Sequence, residues 1–196
     1  MLLSKEKILK NAKKYFETAE TYKFSSEELT NFLGQSFMMA PASTSTNLHN
    51  CFEGGLIDHT LRVAAYAIKL NENLPEALKQ SKESLIKVSC LHSIGKAHLY
   101  KPNPSDWHKQ NLGELYIFNK DVISMSVGER SAYYALSYGI HLTEIEYQAI
   151  IGHSKDVSDA QNKWYSHTLS VLLRQAIELA IIEEKNNFKN KILKNE

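Results

Sequence analysis

The sequence predicts an all-α protein, a helical bundle, on three observations. Nearly every patterned segment repeats its apolar residues at the helical period. Gly and Pro, which punctuate turns, number only 8 and 4 among 196 residues. Ser/Thr-x-x-Glu capping boxes recur ahead of apolar runs. No strand pattern of comparable length competes, and no internal repeat is apparent.

From the N-terminus, residues 3–22 place Leu3, Ile8, Ala12, Tyr15, Phe16 and Ala19 on one stripe with lysines opposite, an amphipathic first helix. Ser25-Ser26-Glu27-Glu28 reads as a capping box opening a short second helix, so residues 1–35 supply two helices that pack on the rest of the chain. Residues 38–53, with Met-Met-Ala-Pro-Ala and Ser-Thr-Ser-Thr-Asn, read as a loop. Leu56, His59, Thr60, Val63, Ala67 and Leu70 share one helical face. Pro75 suits the first turn of another helix, near whose end Leu85, Val88 and His92 align. Residues 101–125 form the longest irregular section, with a short helix expected near 112–118. Ser126-x-x-Glu129 and Thr143-x-x-Glu146 open helices ending near Ser137 and Gly152. A last helix spans about 167–186, and the charged, Asn-rich tail from Glu183 is expected to fray. The whole is expected to be one domain over 1–196.

Composition narrows the functions. With 43% hydrophobic residues the chain buries a core without disulfides. A net charge of +1 gives no pull toward nucleic acid, so any anionic ligand needs a local cluster of bases. Cys51 and Cys90 lie in apolar surroundings without CxxC spacing and read as free buried thiols. No apolar run reaches the roughly 18 residues of a membrane span. Together with an N-terminus that turns charged at once, this makes a soluble cytoplasmic protein the expectation.

His59 and His92 stand on otherwise apolar helix faces. One such histidine is usually a hydrogen-bonded core residue; two on facing helices bring a metal site into question. A divalent ion still needs three or more N/O ligands.

Gly54-Gly55-Leu56-Ile57-Asp58-His59-Thr60, followed some thirty residues on by Leu91-His92-Ser93-Ile94-Gly95-Lys96, resembles the HD superfamily of metal-dependent phosphohydrolases. The matched core covers about 54–180. The sections Trp107-His108-x-x-Asn111-Leu112-Gly113 and Tyr138-Gly139-Ile140 are similar to HD-type proteins of bacteria and their phages. The resemblance implies that His59, a His-Asp pair at His92 and a late-helix Asp hold one or two divalent ions that activate water against a phosphoester. Here Ser93 stands at the paired aspartate and Ile177 at the late one. Losing two negative charges removes most of the electrostatic pull on a dication, so the expectation is a degenerate site that retains no metal. Rescue would have to come from Glu178, which is turned about 100° around the helix, or from His153, Asp156 and Asp159.

What survives is equipment for phosphate. Lys96 follows Gly95, whose missing side chain would let phosphate approach the backbone, and Arg62 lies one turn beyond His59, where it equally suits an i,i+4 salt bridge with Asp58. Arg130, Lys155 and Arg174 are further candidate bases, and Trp107, Tyr133, Tyr134, Tyr138 and Trp164 are candidate stacking surfaces. The candidate ligand-binding set is thus His59, His92, Ser93, Lys96, Arg62, His153 and Arg174. The leading expectation is a catalytically impaired protein that binds, and can sequester, a phosphate-bearing nucleotide or nucleotide second messenger. The alternative is an active phosphohydrolase using Mn, Mg, Fe or Ni, with an interaction module third. The resemblance also hints at a homo-oligomer.

Overall fold

A computed structural model describes residues 3–153 and 167–192, with side chains to 187. It is all-α. The helices are α1 (Lys5–Thr21), α2 (Glu27–Met39), α3 (Gly55–Glu72), α4 (Lys82–Leu91), α5 (Asp106–Leu112), α6 (Val127–Ser137), α7 (Glu144–Gly152) and α8 (Thr168–Ile192). Two short strands, β1 (Tyr100–Pro102) and β2 (Tyr116–Phe118), pair antiparallel, Lys101 opposite Ile117.

α3 is the axis of the bundle: α1, α2, α4 and α8 all pack against it. Leu56, Ile57, Val63 and Ala67 of α3 are buried together with Leu85, Val88 and Leu91 of α4 and Leu169, Leu172 and Leu173 of α8. The N-terminal helices belong to the same core. Tyr15, Phe24, Leu33 and Phe37 are buried in it, and the Tyr15 hydroxyl donates to the Cys90 carbonyl at 3.2 Å, so α1 is tied to α4 by a buried polar contact as well as by area. Both cysteines are free and buried, as expected. Among the described residues no helix is long and apolar enough to cross a membrane.

The predicted boxes at Ser126 and Thr143 are both present, each side chain accepting from the third residue on while the glutamate reaches back. Other boundaries differ for local reasons. Ser26, not Ser25, caps α2, accepting from Leu29 N, so the cap is one-sided. α2 also runs to Met39 through a break at Gly34, whose φ of 40° only glycine tolerates cheaply, so the loop begins later than expected. Pro75 starts only a 3-10 turn, Glu76–Leu78, and α4 begins afresh at Lys82 behind its own cap, Ser81. The short helix of the irregular section lies at Asp106–Leu112, between the Ser105 cap and a left-handed Gly113, and the stretch expected to be helical holds β2 instead. α8 continues to Ile192, beyond the expected end at 186.

Candidate functional site

Four histidine rings form a continuous row. Centroids are 4.8 Å apart from His49 to His59, 5.7 Å from His59 to His92 and 5.1 Å from His92 to His153. His59 on α3 and His92 at the C-cap of α4 are both 2% exposed. His153 caps the end of α7, and His49 sits in the loop after α2.

That loop is held against α3 by Gly54 and Gly55. Gly54 takes a left-handed φ of 77°, and a Cβ on Gly55 would lie 2.1 Å from the Asn50 carbonyl oxygen. Asn50 Nδ2 in turn donates to Gly55 O at 3.3 Å and Asp58 Oδ2 at 3.2 Å. The glycine pair therefore brings His49 beside His59, where the His49 Nε2 is buried with no hydrogen-bond partner.

Each of the other rings is oriented through Nδ1. His92 Nδ1 donates to the Ser89 carbonyl at 2.7 Å, and His153 Nδ1 to the Ile150 carbonyl at 2.6 Å. A carbonyl can only accept, so in the neutral rings the lone pair resides on Nε2. His59 Nδ1 lies 3.0 Å from Oε1 and 3.1 Å from Oε2 of Glu184 on α8. His49, His59 and Glu184 place one ligand atom each within 4.8 Å of one another. Burial holds these rings neutral: His59 is pushed down to about 3, His153 to about 4 and His49 to about 2, and His92 falls well below its ordinary value. The Lys96 ammonium depresses all four further. Burial pushes Glu184 up to about 8 against the pull of Arg62.

The remaining predicted residues divide. Lys96 belongs to the cluster electrostatically; its Nζ donates to Ala42 O at 2.6 Å, and burial lowers its pKa to about 8. Ser93 is buried, 3.0 Å from Thr60 Oγ1. Because Thr60 donates to Leu56 O at 2.9 Å, the Ser93 proton goes to Thr60, tying α3 to the turn after α4. Arg62 makes the i,i+4 bridge to Asp58 at 3.0 Å and also reaches Glu183 at 2.5 Å and Glu184 at 3.3 Å, so its charge is already matched. Gly95 offers no opening to phosphate: α6 fills the space, with Ser131 Oγ accepting from Gly95 N at 2.9 Å and Val127 O 2.8 Å from a would-be Cβ. Arg130 is buried and donates to the Ile123 carbonyl. Arg174 lies ten residues before Glu184 on α8, roughly 15 Å along the axis, and is not brought to the cluster. Tyr138 stacks on Phe32 with Tyr134 against its edge, whereas Trp107 and Tyr133 are exposed. Lys155, Asp156, Asp159 and Trp164 lie outside the described residues.

Sequence reasoning misses two residues of the cluster. His49 sits in a segment with no periodicity, signalled only by the glycine pair it packs on. Glu184 lies two turns beyond Ile177, which itself packs against the core. Glu183 and Glu184, at the start of the stretch expected to fray, dock instead: Glu184 is buried, and Glu183 accepts from Arg62 and from Tyr66 at 2.7 Å. The late helix thus supplies a carboxylate, although not at the position of the motif.

The chain is similar to the dihydroneopterin 2',3'-cyclic phosphate phosphodiesterase of Methanocaldococcus jannaschii, at 33% identity over 98 residues. The match takes in 49% of this chain and 37% of that protein, so the chain spans little more than a third of its relative's length. No family model matches the chain, and no solved structure matches it.

Proposed function

We propose that this chain is a phosphohydrolase-type protein that holds a divalent transition metal among its histidines and acts on the phosphoester of a nucleotide-like compound. The observation that carries the reading is the row of four neutral imidazoles, three of them oriented through Nδ1 and the fourth, His49, with an orphaned buried nitrogen. Metal ligands must be deprotonated and are characteristically oriented by a carbonyl or carboxylate behind the ring. His49, His59 and Glu184, whose ligand atoms lie within 4.8 Å of one another, would hold the ion, Glu184 directly or from behind His59, with His92 and His153 continuing the row beside it. Two imidazoles and a carboxylate suit Zn, Fe or Ni better than Mg, which prefers oxygen ligands.

When bound, such an ion acts as a Lewis acid toward a phosphoryl oxygen and lowers the pKa of bound water. The chain's own contribution is positional. Lys96 spends one of its three N–H donors on Ala42 O, leaving two to meet a phosphate oxygen beside the histidines. The relative is named for the 2',3'-cyclic phosphate of dihydroneopterin, which supports a phosphoester as the substrate class. The experiment combines elemental analysis of protein purified without chelator with assays on a 2',3'-cyclic nucleoside monophosphate. Stoichiometric transition metal and chelator-sensitive hydrolysis, both lost in His49→Ala and His59→Ala, are expected.

A second reading keeps the ligand and drops the chemistry. Ser93 and Ile177 stand where the resemblance requires aspartates, and this favours a binder that sequesters its nucleotide intact. A metal-free, inactive protein that binds the same cyclic nucleotide would replace the first reading by the second.

A further inference from the structure

Away from the histidines, unmatched charge concentrates where α1, α3 and α8 meet. A groove of about 420 Å³ opens there, rimmed by Lys7, Lys10 and Lys14 of α1 and Lys69 of α3, with Leu61 and Tyr66 beneath. Residues 7, 10 and 14 share a helix face and span about 10 Å along it. All four lysines are exposed. Elsewhere on the described surface Lys13 pairs with Glu17, Lys79 with Glu76 and Lys101 with Asp121, while Lys5, Lys23, Lys82, Lys120 and Lys185 are exposed without an ion pair but do not line this groove. Among the described residues, the four on the groove make no ion pair.

The acids that line the groove, Asp58 and Glu183, offset only part of this charge. Asp58 is engaged by Arg62 and by the side-chain amides of Asn11 and Asn50, and Glu183 by Arg62 and the Tyr66 hydroxyl. One arginine thus answers two carboxylates below, while four ammonium groups face one opening above. A chain whose net charge is only +1 carries a local positive field at this groove. The volume lies within the roughly 300–1,000 Å³ of small-molecule sites.

We propose that the groove is a second ligand site, for a small anion carrying several phosphates. The phosphates lie along Lys7, Lys10 and Lys14 and turn to Lys69, and any apolar portion rests on Leu61 and Tyr66. The site is independent of the proposed metal chemistry: no histidine lines the groove, although Arg62 forms a wall common to both, reaching Glu184 behind His59.

The test is calorimetric titration of the intact chain with inorganic tripolyphosphate and with orthophosphate, at low and high salt. Tripolyphosphate should bind saturably and at least about tenfold more tightly than orthophosphate, and weaken with salt. Lys10→Glu and Lys14→Glu should each cost about tenfold or more. Lys13→Glu makes the same charge change on the same helix outside the groove and should cost little, and His92→Ala should leave binding intact. Absence of saturable binding, an equal loss in Lys13→Glu, or abolition by His92→Ala would each overturn the proposal, the last by placing the probe among the histidines.

Discussion

The two ends of the histidine row are oriented by different means. His92 and His153 each donate Nδ1–H to the carbonyl three residues back in their own helix, at 2.7 and 2.6 Å. His59 is oriented by Glu184, 125 residues away in the chain, and Glu184 is itself held by Arg62. The first kind of orientation is built as soon as a helix ends. The second exists only once α8 docks on α3. One end of the site is therefore a local property of α4 and α7, and the other a product of the tertiary fold.

Removing the long-range partner should separate the two ends most sharply. Glu184→Ala leaves the buried His59 Nδ1 without its hydrogen-bond partner and removes the carboxylate 3.3 Å from Arg62 Nε, a loss of about 1–3 kcal/mol. Metal uptake should fall by about 10–100-fold, the usual cost of deleting an orienting partner. Glu184→Gln keeps an acceptor and should lose clearly less of both. Urea unfolding and metal titration of the two variants check this. Equal losses would mean that charge rather than orientation is what Glu184 supplies.

The pH dependence of stability tests the same contrast in the chelator-treated chain, with a smaller effect. His59 has a folded pKa of about 3 against an ordinary 6.5. Between those values the unfolded chain binds the proton and the folded chain does not, so stability falls as pH drops below 6.5, by about 1.4 kcal/mol per unit for one fully buried ring. His92 and His153 act in the same direction. Glu184 has the opposite sign: raised from 4.5 to about 8, it holds its proton only when folded, so stability falls as pH rises through that window. Several histidines outweigh one glutamate below 6.5, and Glu184 acts without them above it. The urea midpoint should therefore peak near pH 6.5, and Glu184→Gln should remove the decline toward pH 8 while leaving the acid limb. An unchanged alkaline decline in that variant would assign it to another group.

The same contrast explains which parts of the molecule are legible in the sequence. The capping boxes at Ser126 and Thr143, the faces of α3 and α4, and His59 and His92 follow from periodicity or from spacings within one element, whereas His153 enters only through the resemblance. His49 and Glu184 follow from neither. His49 is placed by the close approach of the Asn50 backbone to Gly55, and nothing in a loop's composition reports that distance. Glu184 is obscured because the motif directs attention to Ile177, and a charged, Asn-rich tail reads as solvated until its partner Arg62 is seen across α3. Ile177 packs into the core instead, so the helix register that would present an acid at that position presents one two turns later. The expectation of a degenerate site rests on counting carboxylates in the motif; the folded chain contributes donors from outside it.

The smallest effect belongs to the outer end of the network. Asp58 pairs with Arg62 at 3.0 Å across a partly exposed i,i+4 spacing, and Arg62 also has Glu183 at 2.5 Å. Such pairs are worth about 0.3–0.5 kcal/mol on helices, and Asp58→Asn keeps one oxygen for Asn50 and Arg62, which share Oδ2, while a flip of the Asn11 amide turns its oxygen to the new NH2. Its unfolding free energy should thus change by no more than about 0.5 kcal/mol. The groove beside α1 should respond more visibly: with one lining carboxylate neutralised, tripolyphosphate binding should tighten while metal content stays unchanged. A loss of metal in Asp58→Asn comparable to that in Glu184→Ala would mean that the Arg62 network acts on His59 as one unit. The division between a locally oriented end and a fold-oriented end would then extend outward to the surface of α3.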